Sequence, residues 1–420
     1  MDQTKDTERS TEVVLVVDDV AQGSPTKSLQ PSALPPSSQR WATVHSRGGT
    51  WTPLRHWSNP RNACYYATLT GIDAEQGLLI GGTGDGNSDL KPSIVKFRTG
   101  EQVPLNLPIP LPNLLANHTV DTFDGTVFFI LGNYMRASAA PLALVLNRTD
   151  GVTASVRRIV FQDPTYYPPS LSHQRTGKFT VARNSSEEGS ECEIVVFGGV
   201  EKNIANYPRV TNNTYLFNVT DMTWSRVNCP VRPPPRVYHV SCVHENRVMY
   251  VYGGAPALAT TRPGDDVFGD LWAFDRQKMS WALVAVSGDI PAPRGSAAFV
   301  SSGPHLYLYG GFDGLHSFDC MYRFTPATGI WQRLCTPNEQ FRNKYPYRYP
   351  RWGSASWFSH RAKTLYVSGG FSEWIAADND EDGCTYELTT ESIGFTLEDT
   401  SLKLLCARFF ATNSDRLRLQ

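Results

Sequence analysis

The chain has no long apolar run. In 420 residues nothing approaches the ~20 consecutive apolar positions that a membrane-spanning helix needs. The stretch VVLVV at Val13 to Val17 is too short for a signal-peptide core, and the residues before it are polar. Charge of one sign is missing too. The formal net charge is −1, so no global field recruits nucleic acid or an anionic membrane. The eight cysteines follow no framework spacing, which in a chain of this length reads as buried thiols rather than a disulfide scaffold. Sequons stand at Asn117, Asn147, Asn184, Asn212 and Asn218. Without a secretory signal they read as unused; their use would mark a secreted, carbohydrate-binding protein instead. Helical periodicity is absent throughout.

What is present is a repeated sentence. A run of β-branched and aromatic residues ends in a glycine doublet: LLIGG at Gly81 and Gly82, IVVFGG at Gly198 and Gly199, VMYVYGG at Gly253 and Gly254. The sentence returns as LYLYGG at Gly310 and Gly311 and LYVSGG at Gly369 and Gly370, with a weaker VFFILGN ending at Asn133. Such runs favour strands buried on both faces. A glycine doublet at a strand end permits backbone angles and close approaches that a Cβ forbids. Recurrence at intervals of roughly fifty to seventy residues signals a repeat architecture.

Each doublet is followed by two aromatics bracketing a short polar turn. Tyr215 precedes Trp224, Trp272 precedes Trp281, Tyr322 precedes Trp331, and Tyr386 precedes Phe395. Each repeat is therefore expected to form four antiparallel strands, the blade of a propeller. Trp224, Trp281 and Trp331 are expected to fill the gaps between blades, and the ten doublet glycines to shape the strand ends.

The order of Gly-Gly, then Tyr or Trp, then Trp resembles the kelch repeat family. VYGG…DLWAFDRQKMSW and LYGG…MYRFTPATGIW carry the full pattern, the first repeat has lost the aromatics and the second is degenerate. The resemblance spans roughly residues 41 to 419 and implies an all-β, kelch-type β-propeller that serves as a ligand-binding scaffold. Six repeats are complete. WATVHSRGGTWTPL (Trp41 to Leu54) matches the third and fourth strands of a blade, and the segment from Leu404 to Leu419 matches the first two. Seven four-stranded blades are expected, the last split between the termini; six blades are the alternative. Residues 1–40, rich in Pro, Ser and Gln, read as a disordered segment, and residues 41–420 as the propeller.

Alternating strand direction places the loop after the second strand and the connection between blades on one face. Long insertions gather there: Val200 to Asn213, Ala255 to Asp270 with Asp266, Thr336 to Arg351, and Phe371 to Gly383 with Trp374. Binding residues usually lie on such loops. In one of them Arg342, Lys344, Arg348 and Arg351 alternate with Phe341, Tyr345, Tyr347 and Tyr349. Arg and Tyr are hot-spot residues of protein interfaces, and an acidic protein segment is the natural partner. The acidic residues Glu373, Asp378, Asp380, Glu381 and Asp382 lie on the same face, so the two loops could equally neutralise each other.

Other chemistry fails on spacing. The acidic run before Gly383 lacks the spacing and terminal Glu of an EF-hand. His239 and Cys242 point to opposite faces of one strand, so with Cys229 and His244 they make no zinc site. GGTGDG at Gly81 has no helix after it and is no nucleotide loop. No catalytic residue, cofactor site or metal site is expected. The reading is a non-catalytic, monomeric adaptor or scaffold of the cytoplasm or nucleus that binds protein rather than nucleic acid. The alternatives are an enzyme with an axial site, of the oxidase or sugar-mutarotase class found on kelch folds, and a secreted carbohydrate-binding propeller.

Overall fold

The computed structural model describes residues 44–46, 49–53, 66–73, 75–82, 92–97, 99, 101–107, 119–122, 127–131, 142–147, 153–158, 175–182, 190–202, 208–219, 223–258, 267–335, 351–375, 384–388 and 392–397. All the regular structure among them is strand.

Among the described residues, six sheets of four or five strands follow one another along the chain. Sheet I holds Thr68–Gly71, Gln76–Ile80, Ser93–Lys96 and Gln102–Pro104. Sheet II holds Thr119–Thr122, Val127–Leu131, Leu142–Leu146 and Ala154–Arg158. Sheet III holds Arg175–Ala182, Ser190–Phe197, Thr214–Asn218 and Thr223–Val227. Sheet IV holds Val240–His244, Val248–Tyr252, Leu271–Asp275 and Ser280–Leu283. Sheet V holds Ala298–Ser302, His305–Tyr309, Met321–Thr325 and Ile330–Cys335, with the short Ser287–Gly288 parallel to its outer strand. The first strands touch in a closed circuit, I to II to III to IV to V to VI and back to I. This is the propeller arrangement expected from the repeats.

Sheet VI departs from the expected plan. Its order is Ala355–Ser359, Thr364–Ser368, Ser392–Leu397, Gly49–Pro53, Val44–Ser46. Tyr386 and Phe395 were expected on the third and fourth strands of one blade. Instead the strand with Phe395 takes third place, pairing Leu365 with Phe395. The strand with Tyr386 leaves the sheet and pairs with Phe371–Ile375 in a two-stranded ribbon. The fourth place goes to the N-terminal strand, whose Trp51 lies opposite Phe395. The aromatic hairpin near the N-terminus thus joins the last repeat directly, rather than a seventh blade with two strands from each end. The strands expected between Leu404 and Leu419 lie outside the described residues. The physical reason is plain: an aromatic strand with the right alternation satisfies the open edge whichever part of the chain delivers it.

The core is a series of seams between sheets. Phe179, Val195 and Phe197 of sheet III pack on Met249, Val251, Phe274 and Trp281 of sheet IV. Tyr252 and Leu271 of sheet IV pack on Leu306, Leu308, Phe324 and Trp331 of sheet V. Trp224, Trp281 and Trp331 are all buried, Trp281 and Trp331 within these two seams and Trp224 stacked on Phe217 of its own sheet. Val248–Tyr252 is buried at every position but its first, fitting a strand with packed neighbours on both faces.

Candidate interaction face

The connections between sheets share a tripeptide logic. Arg236, Arg294 and Arg351 each stand just before a first strand, and each is at most 1% exposed. Arg236 donates to the carbonyl of Gly253 at 2.9 Å, and Arg294 to that of Gly310 at 2.9 Å. The backbone of the same arginine receives the preceding sheet. Gly199 N–H donates to Arg236 O (2.9 Å), Gly254 N–H to Arg294 O (3.0 Å), and Gly311 N–H to Arg351 O (2.7 Å). These contacts explain the first glycine of the doublet, because a Cβ at Gly253 would run into Arg294 O and one at Gly310 into Arg351 O. Gly254 has φ +91°, and a Cβ there would lie 2.5 Å from Val237 O. They also bring second-strand ends and inter-sheet connections onto one face, as strand alternation required.

Two residues after each arginine the chain turns left-handed. Tyr238 (φ 58°), Ser296 (φ 53°) and Gly353 (φ 63°) share this conformation with Tyr66 (φ 58°). Their backbones are linked in series: Tyr66 N–H to Gly353 O (2.7 Å), Gly353 N–H to Ser296 O (3.0 Å), Ser296 N–H to Tyr238 O (2.8 Å). A bulky aromatic in this region is strained. The rings of Tyr66 and Tyr238 stack at 6.1 Å, and Trp352 stacks on Phe312 (4.8 Å) and Phe371 (4.5 Å). Sequence reasoning missed these residues, because a left-handed tyrosine leaves no composition signal.

Two insertions on this face are β-ribbons that spring directly from glycine doublets. Val200–Lys202 pairs with Pro208–Val210 after Gly199, and Phe371–Ile375 with Cys384–Leu388 after Gly370. Glu201 anchors the first ribbon, accepting from Asn213 Nδ2 (2.9 Å) and Tyr215 Oη (2.9 Å).

The electrostatics differ from sheet to sheet. Arg236 forms a two-pronged pair with Asp270, at 2.7 and 2.8 Å, beneath the ring of Phe268. Burial pushes the Asp270 carboxyl up, but the bonds from Arg236 and Trp272 more than offset this and hold it below the usual carboxylate value. Arg294 instead bonds Ala292 O and lies over Phe318 at 3.8 Å; burial lowers its pKa. Cys320 occupies the place that Asp270 holds in sheet IV, one residue before the third strand. Burial raises its thiol pKa, although Arg333 donates to Sγ at 3.1 Å.

Of the residues expected to meet a partner, Arg351 is buried and takes the place that Arg236 and Arg294 hold in the preceding connections. Trp374 lies on the second ribbon. Phe341, Arg342, Lys344, Tyr345, Tyr347, Arg348, Tyr349 and Asp266 lie outside the described residues, as does the acidic run from Asp378 to Gly383. Among the described residues no group of three or more His, Cys, Asp or Glu is placed to hold a metal. Cys242 and His244 are both buried on the first strand of sheet IV. His244 Nδ1 meets Ser301 Oγ at 3.0 Å across the seam with sheet V, with Glu245 at 3.7 Å from Nε2. Two sequon amides are engaged by the fold: Asn147 Nδ2 donates to Thr153 Oγ1 (3.0 Å) and Asn212 Nδ2 to Pro233 O (2.9 Å).

Comparison with known proteins agrees with this architecture. Residues 172–370 match the family model described as the KLHDC2/KLHL20/DRC7 Kelch-repeats domain. The chain is 33% identical to the Rab9 effector protein with kelch motifs of Rattus norvegicus, over 31% of this chain and 33% of that one. It is 32% identical to acyl-CoA-binding domain-containing protein 5 of Arabidopsis thaliana, over 35% of this chain and 21% of that one. The matched segments thus span about a fifth to a third of these relatives. The solved structure of YjhT superposes with a TM-score of 0.50 at 16% identity, covering 69% of this chain and 83% of that one, a likeness of fold alone. The glycine doublets, the four-stranded sheets and this match make residues 172–370 a kelch-repeat region.

Proposed function

We propose that the protein is a non-catalytic interaction scaffold that binds a protein partner through the face bearing the long insertions. One observation carries the reading. Glycine doublets and buried arginines fix the sheet ends rigidly, and the ribbons and long connections leave from that rigid rim. The kelch-motif relatives, one named as a Rab9 effector, support an interaction role. The basic-aromatic segment Phe341 to Tyr349 supplies the contact chemistry, and an acidic segment of the partner complements it. Asp266 and Trp374, on neighbouring insertions, complete the contact. The working compartment is the cytoplasm or nucleus, and the protein acts as a monomer.

The test is charge reversal at Arg342, Lys344 and Arg348. Arg351 is left alone because it is buried in the rim. Weakened capture of the partner at an unchanged melting temperature supports the reading; unchanged capture removes this segment from the interface. Stoichiometric copper or zinc in the purified protein would replace the scaffold reading with a metalloenzyme.

A further inference from the structure

The hairpin between the third and fourth strands of sheet IV carries a methionine where the fold requires only a glycine. Asp275 pairs with Ser280 across this turn, as Thr325 pairs with Ile330 across its counterpart in sheet V. In sheet V the left-handed residue just before the fourth strand is Gly329 (φ 68°), and in sheet IV it is Met279 (φ 50°). Glycine adopts this backbone freely, whereas a long side chain is strained there. The turn is nevertheless well held. Asp275 Oδ1 accepts from the N–H of Gln277 (2.9 Å) and from that of Lys278 (3.1 Å).

The Met279 side chain lies where a polar group meets an apolar seam. It packs on the cluster of Phe179, Val195, Phe197, Met249 and Trp281 between sheets III and IV. Its sulfur accepts from Arg276 Nη1 at 3.4 Å, and its carbonyl accepts from Cys229 Sγ at 3.4 Å. The same guanidinium reaches across to sheet III, where Nε and Nη2 both donate to Oε2 of the buried Glu193. Met279 is half-buried, and Gln277 and Lys278 beside it are exposed. Met249 and Met321 are 0% exposed. Among the described methionines, Met279 is therefore the one that solvent reaches.

We propose that Met279 is a reversible oxidation site through which hydrogen peroxide weakens the seam between sheets III and IV. The thioether sulfur attacks one peroxide oxygen. The S–O bond forms as the O–O bond breaks, and a proton passes from the transferred oxygen to the departing one, which leaves as water. The sulfur is oxidised by two electrons and the peroxide is reduced. The resulting sulfoxide is polar, where the thioether was an apolar and flexible filler. It places an oxygen at the edge of an apolar seam and competes with Glu193 for the guanidinium of Arg276. Both effects loosen the contact between the two sheets. Thiol-dependent reduction by methionine sulfoxide reductases returns the thioether.

The experiment treats the full-length protein with dilute hydrogen peroxide and follows each methionine by peptide mass spectrometry. Met279 should gain one oxygen at least about tenfold faster than Met249 and Met321. The melting temperature should fall by several degrees as the Met279 sulfoxide accumulates. Methionine sulfoxide reductases A and B should restore it, since they act on sulfoxides and not on oxidised cysteines. Met279→Leu keeps the bulk without the sulfur, and its melting temperature should not respond to the same dose. The oxidation rates and the reversal are read in the wild-type protein, so the test holds even where that variant folds poorly. Equal oxidation of Met279 and Met249, or a melting temperature indifferent to oxidation at Met279, overturns the proposal. The same fall in Met279→Leu, or a fall that the reductases do not reverse, overturns it as well, because another residue would then be responsible.

Discussion

The indole of Trp281 donates its N–H to Thr214 Oγ1 at 2.9 Å, from sheet IV to the first residue of a strand in sheet III. The next seam has the same geometry without the acceptor. Leu271 holds the place of Thr214, and Trp331 Nε1 is buried with no hydrogen-bond partner among the described residues. Thr214→Val should leave the Trp281 indole unsatisfied and destabilise the protein by about 1–3 kcal/mol. Leu271→Thr should recover part of that energy at the neighbouring seam. Thermal melts of the two variants check this, and equal losses in both would sink it.

Arg236 and Asp270 form a pair in which the cation is buried and the anion is about one quarter exposed. Asp270→Ala strands the guanidinium and should cost about 3 kcal/mol or more. The same pair sets an acid limit. Asp270 titrates lower in the folded than in the unfolded state, so its stabilisation is complete above the unfolded value near 3.8 and is lost as pH falls below it. The melting temperature of Asp270→Asn should be flatter over that acidic window.

His244 acts in a different window. Burial lowers its pKa, with Glu245 pulling the other way. The neutral imidazole is favoured in the fold, so the unfolded chain takes up a proton first. The stability it contributes is therefore present above pH 6.5 and declines as pH falls below that value. His244→Gln should remove this slope between neutral pH and about pH 5. An unchanged slope would assign it to another group.

Cys320→Asp should raise the melting temperature. The substitution puts a carboxylate where Asp270 stands in sheet IV, beside a buried Arg294 that bonds the carbonyls of Ala292 and Gly310 and the Tyr322 side chain. A gain of about 1 kcal/mol is expected, reduced by repulsion from the adjacent Asp319. A fall in melting temperature would show that the thiol's packing matters more.

Truncation separates the ends of the chain. Removing residues 1–40 should leave the melting temperature unchanged. Removing residues 1–53 takes the fourth and fifth strands from sheet VI, exposes the edge of Ser392–Leu397 and should lower it by many degrees. Equal melting temperatures for the two truncations would mean that the Trp51–Phe395 pairing contributes little.

The amino-acid sequence by itself determined the blade. Alternating β-branched and aromatic residues dictate strands, and each glycine doublet dictates where a strand must meet another backbone, because both demands are local. The buried roles of Trp224, Trp281 and Trp331 followed from the same local pattern. Only the tertiary structure decided which aromatic strand closes the last sheet. Trp51 and Tyr386 both carry a suitable pattern, and the choice rests on where the rest of the chain delivers each of them. It likewise decided that Arg351 belongs to the rim, since a buried arginine and an exposed one look identical until the carbonyls and rings around them are assembled. Left-handed Tyr66 and Tyr238 were hidden for the same reason: their conformation is imposed by the neighbouring sheet, not by the residue.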